Sequence, residues 1–483
     1  MRRAGLVGCL VAAAMLAGAC SGGDSDEGPP SGAPSDPATD EGSGGGGEVD
    51  FPAPTRRQLA KGVRVGDQTT QALSDVVARG QTLVAVGGEF ADNTSRPLFV
   101  LSTDGGDTWT RSEVTDPARE MTTSESATSV ARSRNGFVAT GNDNEGPVIW
   151  SSPDGVSWAR QKADRAVFKA ADWVERVRYV DGRFVLIGGN EAAAGAAHDR
   201  VIMWTSRNGA QWKRVDLTTR GIDDVVGEPS AVDVTYYRGD LIIAGGVENN
   251  AIADQPNRIV IWRSRNGGRS FTTDSTPADL AGDYRAYADD FVLNGGELYL
   301  TASGDGTGKT WDAVVLRATG GAWEKITAAP LSTSAADHPG ALIGVSGGWV
   351  YGGRTTEGAE DARIATGGTF ADLAALRHPG LTARGRQLIT AGAAVGRRAI
   401  LVGITDASGS TEPAIWRVER GRATPVRLPA EVTGGRPHIY VTEILRTDRG
   451  WTAVGTVGLS PASGAAPTWR AGHRRDSPGA TTP

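Results

Sequence analysis

Short apolar runs, each led in by a Gly, Asn or Asp turn, punctuate most of this chain. They read QTLVAVG ending at Gly87, NGFVATG at Gly141, DGRFVLIG at Gly188 and RGDLIIAG at Gly245. Four more follow: GGELYLTA at Ala302, SGGWVYG at Gly352, RRAILVG at Gly403 and RGWTAVG at Gly455. Their length and β-branched content predict strands, and the turns ahead of them predict hairpins. The interval is about 50 residues, which marks a tandem-repeat architecture. In each unit a strand such as SVARS (Ser129 to Ser133) or VDVTYY (Val232 to Tyr237) precedes the turn. After the apolar strand a loop of variable length leads to a third strand of the type PVIW, VIMW, IVIW or PAIW. A further turn and a fourth strand, such as WARQKA or WKRVDL, complete the unit. No long helical periodicity interrupts the series.

Four antiparallel strands per unit, repeated radially, predict an all-β fold, a single β-propeller of four-stranded blades. The strand pattern gives about eight blades. Degraded turns in units five to seven (ATGGAW, ATGGTF, VERGRA) leave a seven-bladed ring open. The tryptophans keep phase with the unit. Trp150, Trp204, Trp262, Trp416 and Trp469 fall on the third strand, whereas Trp109, Trp158, Trp212 and Trp323 close the turn after it. Aromatics at fixed blade positions fill the wedge between sheets. The last unit runs out after Trp469, so an N-terminal strand around Lys61 to Val65 is expected to close the ring and remove its open edge.

The turn between third and fourth strands recurs as STDGGDTW (Ser102 to Trp109) and SSPDGVSW (Ser151 to Trp158). Weaker copies follow at SRNGAQW (Ser206 to Trp212) and SRNGGRSF (Ser264 to Phe271). These runs resemble the Asp-box, or BNR repeat, of sialidases and many other propellers. The resemblance implies a structural role for Ser102, Asp104, Gly106 and Trp109, and for Ser152, Asp154, Gly155 and Trp158. It extends to Ser206, Asn208 and Trp212, and to Ser264, Asn266 and Phe271. A carboxylate or amide oxygen at the third position can accept backbone N–H bonds in the turn. Glycine, at Gly105 or Gly155, supplies a backbone angle other residues resist.

The termini set the cellular address. Arg2 and Arg3 precede an apolar stretch, Ala4 to Leu16, that is too short to span a bilayer, and Ala17-Gly18-Ala19 leads into Cys20. LAGAC resembles the lipobox of bacterial lipoproteins, although Ala17 replaces the usual larger aliphatic. The resemblance implies a signal peptide over residues 1–19 and lipidation of Cys20, placing the chain on the outer face of a bacterial membrane. Residues 20–52 are Gly, Ser, Pro and acidic, a composition that cannot bury a core and predicts a disordered tether. The propeller is expected over residues 53–471, followed by a frayed tail over 472–483.

Of the 2 cysteines, Cys9 lies in the signal, so the exported domain has no disulfide and must rely on packing. The formal net charge of −6 disfavours nucleic acid as a partner. A monomer without metal or cofactor is expected: no HExxH, GxSxG, Walker or Cys/His spacing occurs.

Catalytic candidates are sparse. Sialidases need three arginines, a tyrosine nucleophile with a glutamate partner, and an acid/base aspartate. Their F/Y-R-I-P motif is missing here. Arg176, Tyr284, Arg285, Tyr287 and Arg384 are the residues expected near the mouth, and an arginine triad of Arg176, Arg285 and Arg384 can be assembled from them. Glu125, Glu175, His438 and Tyr440 join that group. The run DYRAYADD (Asp283 to Asp290) is expected as a solvated loop. No catalytic residue is assigned. The sequence favours a binding or scaffolding propeller for an envelope glycan or protein partner. The alternatives are a sialidase-like exo-glycosidase and a membrane-complex assembly factor, the latter by fold resemblance to Asp-box propellers of photosystem biogenesis.

Overall fold

The computed structural model describes residues 69–472 apart from breaks between strands, the longest at 116–124, 191–199, 218–227, 249–257, 278–284, 327–336 and 427–437. Every regular element of length within that span is a β-strand. Eight blades of antiparallel strands follow one another, each built in chain order from its innermost strand outward. The innermost strands are Thr69–Arg79, Ser126–Ser133, Asp172–Val180 and Glu228–Tyr237 in blades 1 to 4. In blades 5 to 8 they are Arg285–Asn294, Asp337–Val345, Arg386–Val395 and His438–Thr447. Each touches the next, and His438–Thr447 touches Thr69–Arg79, so the ring closes. Eight units are therefore present.

Closure is knitted by backbone. Blades 7, 8 and 1 share one continuous sheet; Thr411 pairs with His438, Ala72 with Thr456, and Thr70 with Gly464. Blade 8 holds His438–Thr447, Gly450–Ser460 and Thr468–Gly472, with the short Ser463–Ala465 at its side. The closing strand expected at 61–65 lies outside the described residues. Between blades 1 and 2 the chain adds a fifth strand, Glu113–Thr115, parallel to Ser157–Arg160.

The third-strand tryptophans occupy one register position. Trp150 faces Ala139, Trp204 faces Leu186, Trp262 faces Ile243, Trp416 faces Leu401 and Trp469 faces Ala453. Each partner lies at the same step beyond its hairpin. The core is the wedge between neighbouring blades rather than a single central mass. Val84, Phe99 and Leu101 of blade 1 pack on Phe137, Trp150 and Trp158 of blade 2. There the Phe99 and Trp158 rings stack with centroids 4.4 Å apart. Each such buried side chain stabilises the fold by about 1.5–3 kcal/mol, which lets a disulfide-free disc hold together.

Candidate functional site

Each inner strand slips register once, at the same level of the ring. The slips fall between Leu73 and Asp75, Ala127 and Ser129, Val174 and Arg176, and Ala231 and Asp233. They continue between Ala288 and Phe291, Pro339 and Ala341, Ile389 and Ala391, and Val441 and Glu443. A bulge leaves a residue unpaired and re-aims the side chains beside it. Around the ring this layer therefore presents Asp75, Ser129, Arg176, Asp233, Asp290, Ala341, Ala391 and Glu443. The bulge of blade 5 holds both Asp289 and Asp290.

Part of this chemistry is structural. A bulge also frees a backbone N–H, which must find an acceptor. Asp75 Oδ2 accepts from Val130 N at 2.9 Å, Ser129 Oγ from Val177 N at 3.3 Å, and Asp233 Oδ2 from Phe291 N at 3.1 Å. Each is a latch from one blade to the next. Ser129 Oγ in turn donates to Asp75 Oδ2 at 3.0 Å. Where Ala341 and Ala391 stand, the layer has no side-chain acceptor to offer.

The remaining charge exceeds what latching requires. Arg176 ion-pairs with Asp290 and lies 3.3 Å from Asp233, which also receives Arg178 Nε at 3.2 Å. Burial works against the Arg176 charge, but Asp290 and Asp233 more than offset it and hold the guanidinium protonated. Burial also pushes the Asp290 carboxyl up, yet Arg176 brings it below the usual range. The Asp290 side chain is 56% exposed, so it is open to solvent although protein surrounds it. Its neighbour Asp289 is pushed up to about 7, by burial first and by the Asp290 charge second. Glu443 is likewise pushed up to about 7 by burial, with Asp75 and Asp290 adding to it. Glu175 is raised by burial, and Arg176 only partly opposes the shift. Blades 3, 5 and 8 thus carry acids raised by burial, and blades 6 and 7, between the last two, present the small Ala341 and Ala391. Perturbed carboxylates gathered in one concavity are a functional signature.

The sequence-predicted mouth residues are dispersed. Arg176 lies in this layer, engaged by two aspartates. Arg285 opens the blade 5 inner strand, a few residues ahead of the bulge, opposite Asp305. Arg384 and Tyr284 lie outside the described residues, and Tyr287 sits half-buried on the blade 5 inner strand. Arg176 and Arg285 are not brought to one level. Glu125 is no mouth residue: it is buried and pairs with Arg160 at 2.8 Å. His438 opens the blade 8 inner strand and Tyr440 follows on it. Six of the eight residues of DYRAYADD depart from the expected loop, because residues 285–290 belong to the inner strand of blade 5.

The repeated turns carry dense local bonding on the opposite side of the blades from the channel. Gly106 N donates to Ser102 Oγ at 2.8 Å, Thr108 N to Asp104 Oδ1 at 2.9 Å, and Trp109 Nε1 to Gly106 O at 3.2 Å. Asp104 is pushed up by burial, but the Thr108 and Ser102 hydrogen bonds outweigh that and lower it. In blade 2, Gly155 N donates to Ser152 Oγ and Val156 N to Asp154 Oδ1. Asn208 and Asn266 accept equivalent bonds through their amide oxygens, from Ala210 N and Gln211 N and from Arg269 N and Ser270 N.

A second device escaped the sequence reading. Two residues beyond Trp109, Trp158 and Trp212 stands an arginine that reaches back across its blade. Arg111 grips Glu89, Arg160 grips Asp143 at 2.8 Å, and Arg214 grips Asp172. Glu89 is 2% exposed and also receives Gln71 and Arg96. Burial pushes the Glu89 carboxyl up, but the Arg111 and Gln71 hydrogen bonds outweigh it and hold it ionised. The W-x-R spacing was the available signal. Among the described residues no group of His, Cys, Asp and Glu is arranged to hold a metal ion.

No protein-family model and no curated protein matches the chain. Solved structures do. The β-propeller domain of the Trilobed protease from Pyrococcus furiosus is 10% identical, over 74% of this chain and 98% of that one, with a TM-score of 0.43. YCF48 bound to D1 peptide is 11% identical over 71% of this chain and 94% of that one, with a TM-score of 0.40. A thermostable family-43 glycoside hydrolase is 11% identical over 65% and 96%, with a TM-score of 0.30. The likeness is one of fold alone; the closed ring of blades makes the chain a β-propeller.

Proposed function

We propose that this chain is a lipid-anchored propeller of the bacterial envelope that binds a glycan or protein partner at the mouth of its channel. The observation that carries the reading is the asymmetry of the bulge layer. Blades 6 and 7 close the ring with Gly340, Ala341, Thr390 and Ala391, so packing alone does not call for Glu175, Asp289 or Glu443. Keeping buried acids at elevated pKa costs stability, and such a cost is characteristic of sites under functional demand. These acids would select a ligand that presents a cationic group. Oligomers of glucosamine are a direct probe, with their N-acetylated forms as the neutral control. Binding of the amine form should weaken with salt and drop at least tenfold in a D289N/E443Q double variant. Equal binding of both forms, or full retention by the variant, would sink the reading. The anchor is tested apart from this: C20A should release the chain from the membrane fraction.

One observation favours a second reading, glycoside hydrolysis. Asp289, pushed up to about 7, sits beside Asp290, held low, which divides proton donor from carboxylate as such enzymes require. Its sialidase form fits poorly, since Arg176 is already neutralised by Asp233 and Asp290. Release of sugar from a glycoside panel, abolished by D289N, would establish hydrolysis over binding alone.

A further inference from the structure

Between blades 6 and 7 lies a cleft of ≈ 480 Å³, on the face that carries the repeated turns. Its origin is legible in the other blades. The blade 2 turn seats Gly155 against blade 1, where an added Cβ would lie 2.8 Å from Val84 Cγ2 and 3.0 Å from Leu101 Cδ1. Ser112 Oγ of blade 1 donates to the Gly155 carbonyl at 2.6 Å. The blade 3 turn does the same to blade 2: Gly209 seats against Val138, and Gln161 Nε2 donates to its carbonyl at 2.6 Å. In blade 4, Gly268 seats against Met203, and the adjacent Gly267 carbonyl accepts from Arg183 at 2.8 Å. Each turn plugs the wedge over the preceding blade.

Blade 7 has no such plug. Its third and fourth strands, Ser410–Glu419 and Arg422–Pro425, are joined by Arg420 and Gly421 alone, at φ of 50° and 74°. That is a two-residue hairpin turn of the kind that needs positive φ at both positions. Val418 stands where the other turns place their serine. Beneath it, Val350 pairs with Thr366 as Val84 pairs with Leu101 in blade 1, and both Val350 and Thr366 line the cleft. The cleft is the seat of a missing turn.

Its rim has a definite charge. Arg397 is exposed, Arg420 is 85% exposed, and the one acid, Glu419, is shared by Arg398 at 3.0 Å and Arg420 at 4.0 Å, so the rim keeps an excess of positive charge. On an acidic chain this is a basic edge above an apolar floor. We propose that the cleft between blades 6 and 7 receives an acidic polypeptide turn of a partner protein, seated as the serine–aspartate–glycine turns of blades 2 to 4 seat on their neighbours. Shape comes from the fold's own precedent, and sign comes from Arg397 and Arg420. The volume lies within the range of ligand-sized cavities. The site is remote from the channel and independent of what the channel binds.

The test uses the whole chain and a cyclic peptide carrying SSPDGVSW, the sequence of residues 151–158. Titration by fluorescence anisotropy should give one peptide per chain. R397E/R420E should weaken it at least tenfold with an unchanged melting temperature, because both side chains are exposed. A second variant replaces Arg420-Gly421 with SPDGVS. This graft should abolish peptide binding and raise the melting temperature by a few degrees, since it fills the seat. The inference is overturned if the peptide does not bind, if the graft binds it as well as the parent, or if a scrambled peptide of equal charge binds equally.

Discussion

Arg176 on blade 3 reaches past blade 4 to ion-pair with Asp290 on blade 5, with Asp233 of the intervening blade 3.3 Å away. A contact that skips a blade is possible only where inner strands converge on the axis. It ties three blades through one guanidinium. Removing the arginine leaves two neighbouring aspartates facing each other.

R176Q should therefore lower stability at neutral pH by about 1–2 kcal/mol. That is less than a fully buried pair would cost, because the Asp290 side chain is open to solvent. Asp290 is held below its ordinary value, so its contribution is present above that value and fades as pH falls through the folded one. Denaturant titrations stepped down from pH 7 should show a constant penalty until pH falls below the ordinary aspartate value of 3.8, and a shrinking one only beneath it.

Glu443 works in the opposite sense. Its folded carboxyl is pushed up to about 7 from an ordinary 4.5. Between those values the unfolded chain ionises while the folded one keeps its proton, so stability declines as pH rises through that window and levels off above it. E443Q should stabilise the propeller at pH 8 by about 1–2 kcal/mol and leave it unchanged at pH 4. A variant that stabilises equally at both pH values would contradict the assignment to proton linkage.

Gly155 and Gly182 separate two costs of alanine. Both have positive φ, 87° and 71°, but an added Cβ meets Val84 at 2.8 Å in the first case and nothing within 4 Å in the second. G182A should cost about 1 kcal/mol of backbone strain, and G155A about 2–4 kcal/mol, since blade 1 must also shift. Thermal melts of the two variants side by side decide the matter.

Asp104 should tolerate an amide and reject a methyl. Asn208 and Asn266 already accept the same class of turn bonds through an amide oxygen. D104N is expected within about 0.5 kcal/mol of the parent, and D104A about 0.5–1.5 kcal/mol below it, because Thr108 N–H and the Thr108 and Ser102 hydroxyls lose their acceptor. The melting temperature at pH 7 reads both.

The ring and its blade order were legible in sequence because period-2 strands and phased tryptophans repeat whatever the loops do. The channel layer was not, although its trace exists: Asp75, Ser129, Arg176, Asp233 and Glu443 each stand at one fixed interval before a hairpin. A bulge has no composition of its own, so pattern alone placed Asp289 and Asp290 in a loop. Arg176 was found among the mouth candidates, but its two carboxylate partners come from blades 4 and 5, and single-sequence periodicity is blind to such meetings. The arginines after Trp109, Trp158 and Trp212 repeat plainly. Their meaning depends on Glu89 and Asp143, on the second strands of blades 1 and 2, and on Asp172, on the inner strand of blade 3, so the partners stand at no constant spacing.

The latches from Asp75, Ser129 and Asp233, and the seated turns of blades 2 to 4, all belong to the first half of the ring. Among the described residues blades 6 and 7 carry alanines in the bulge layer and an empty seat between them. The disc is thus lopsided in stiffness. Thermal breathing will concentrate in the gap between blades 6 and 7, and backbone amides there should exchange with solvent sooner than their counterparts across the axis. A rigid semicircle then acts as the frame against which the softer one can adjust to whatever docks on it.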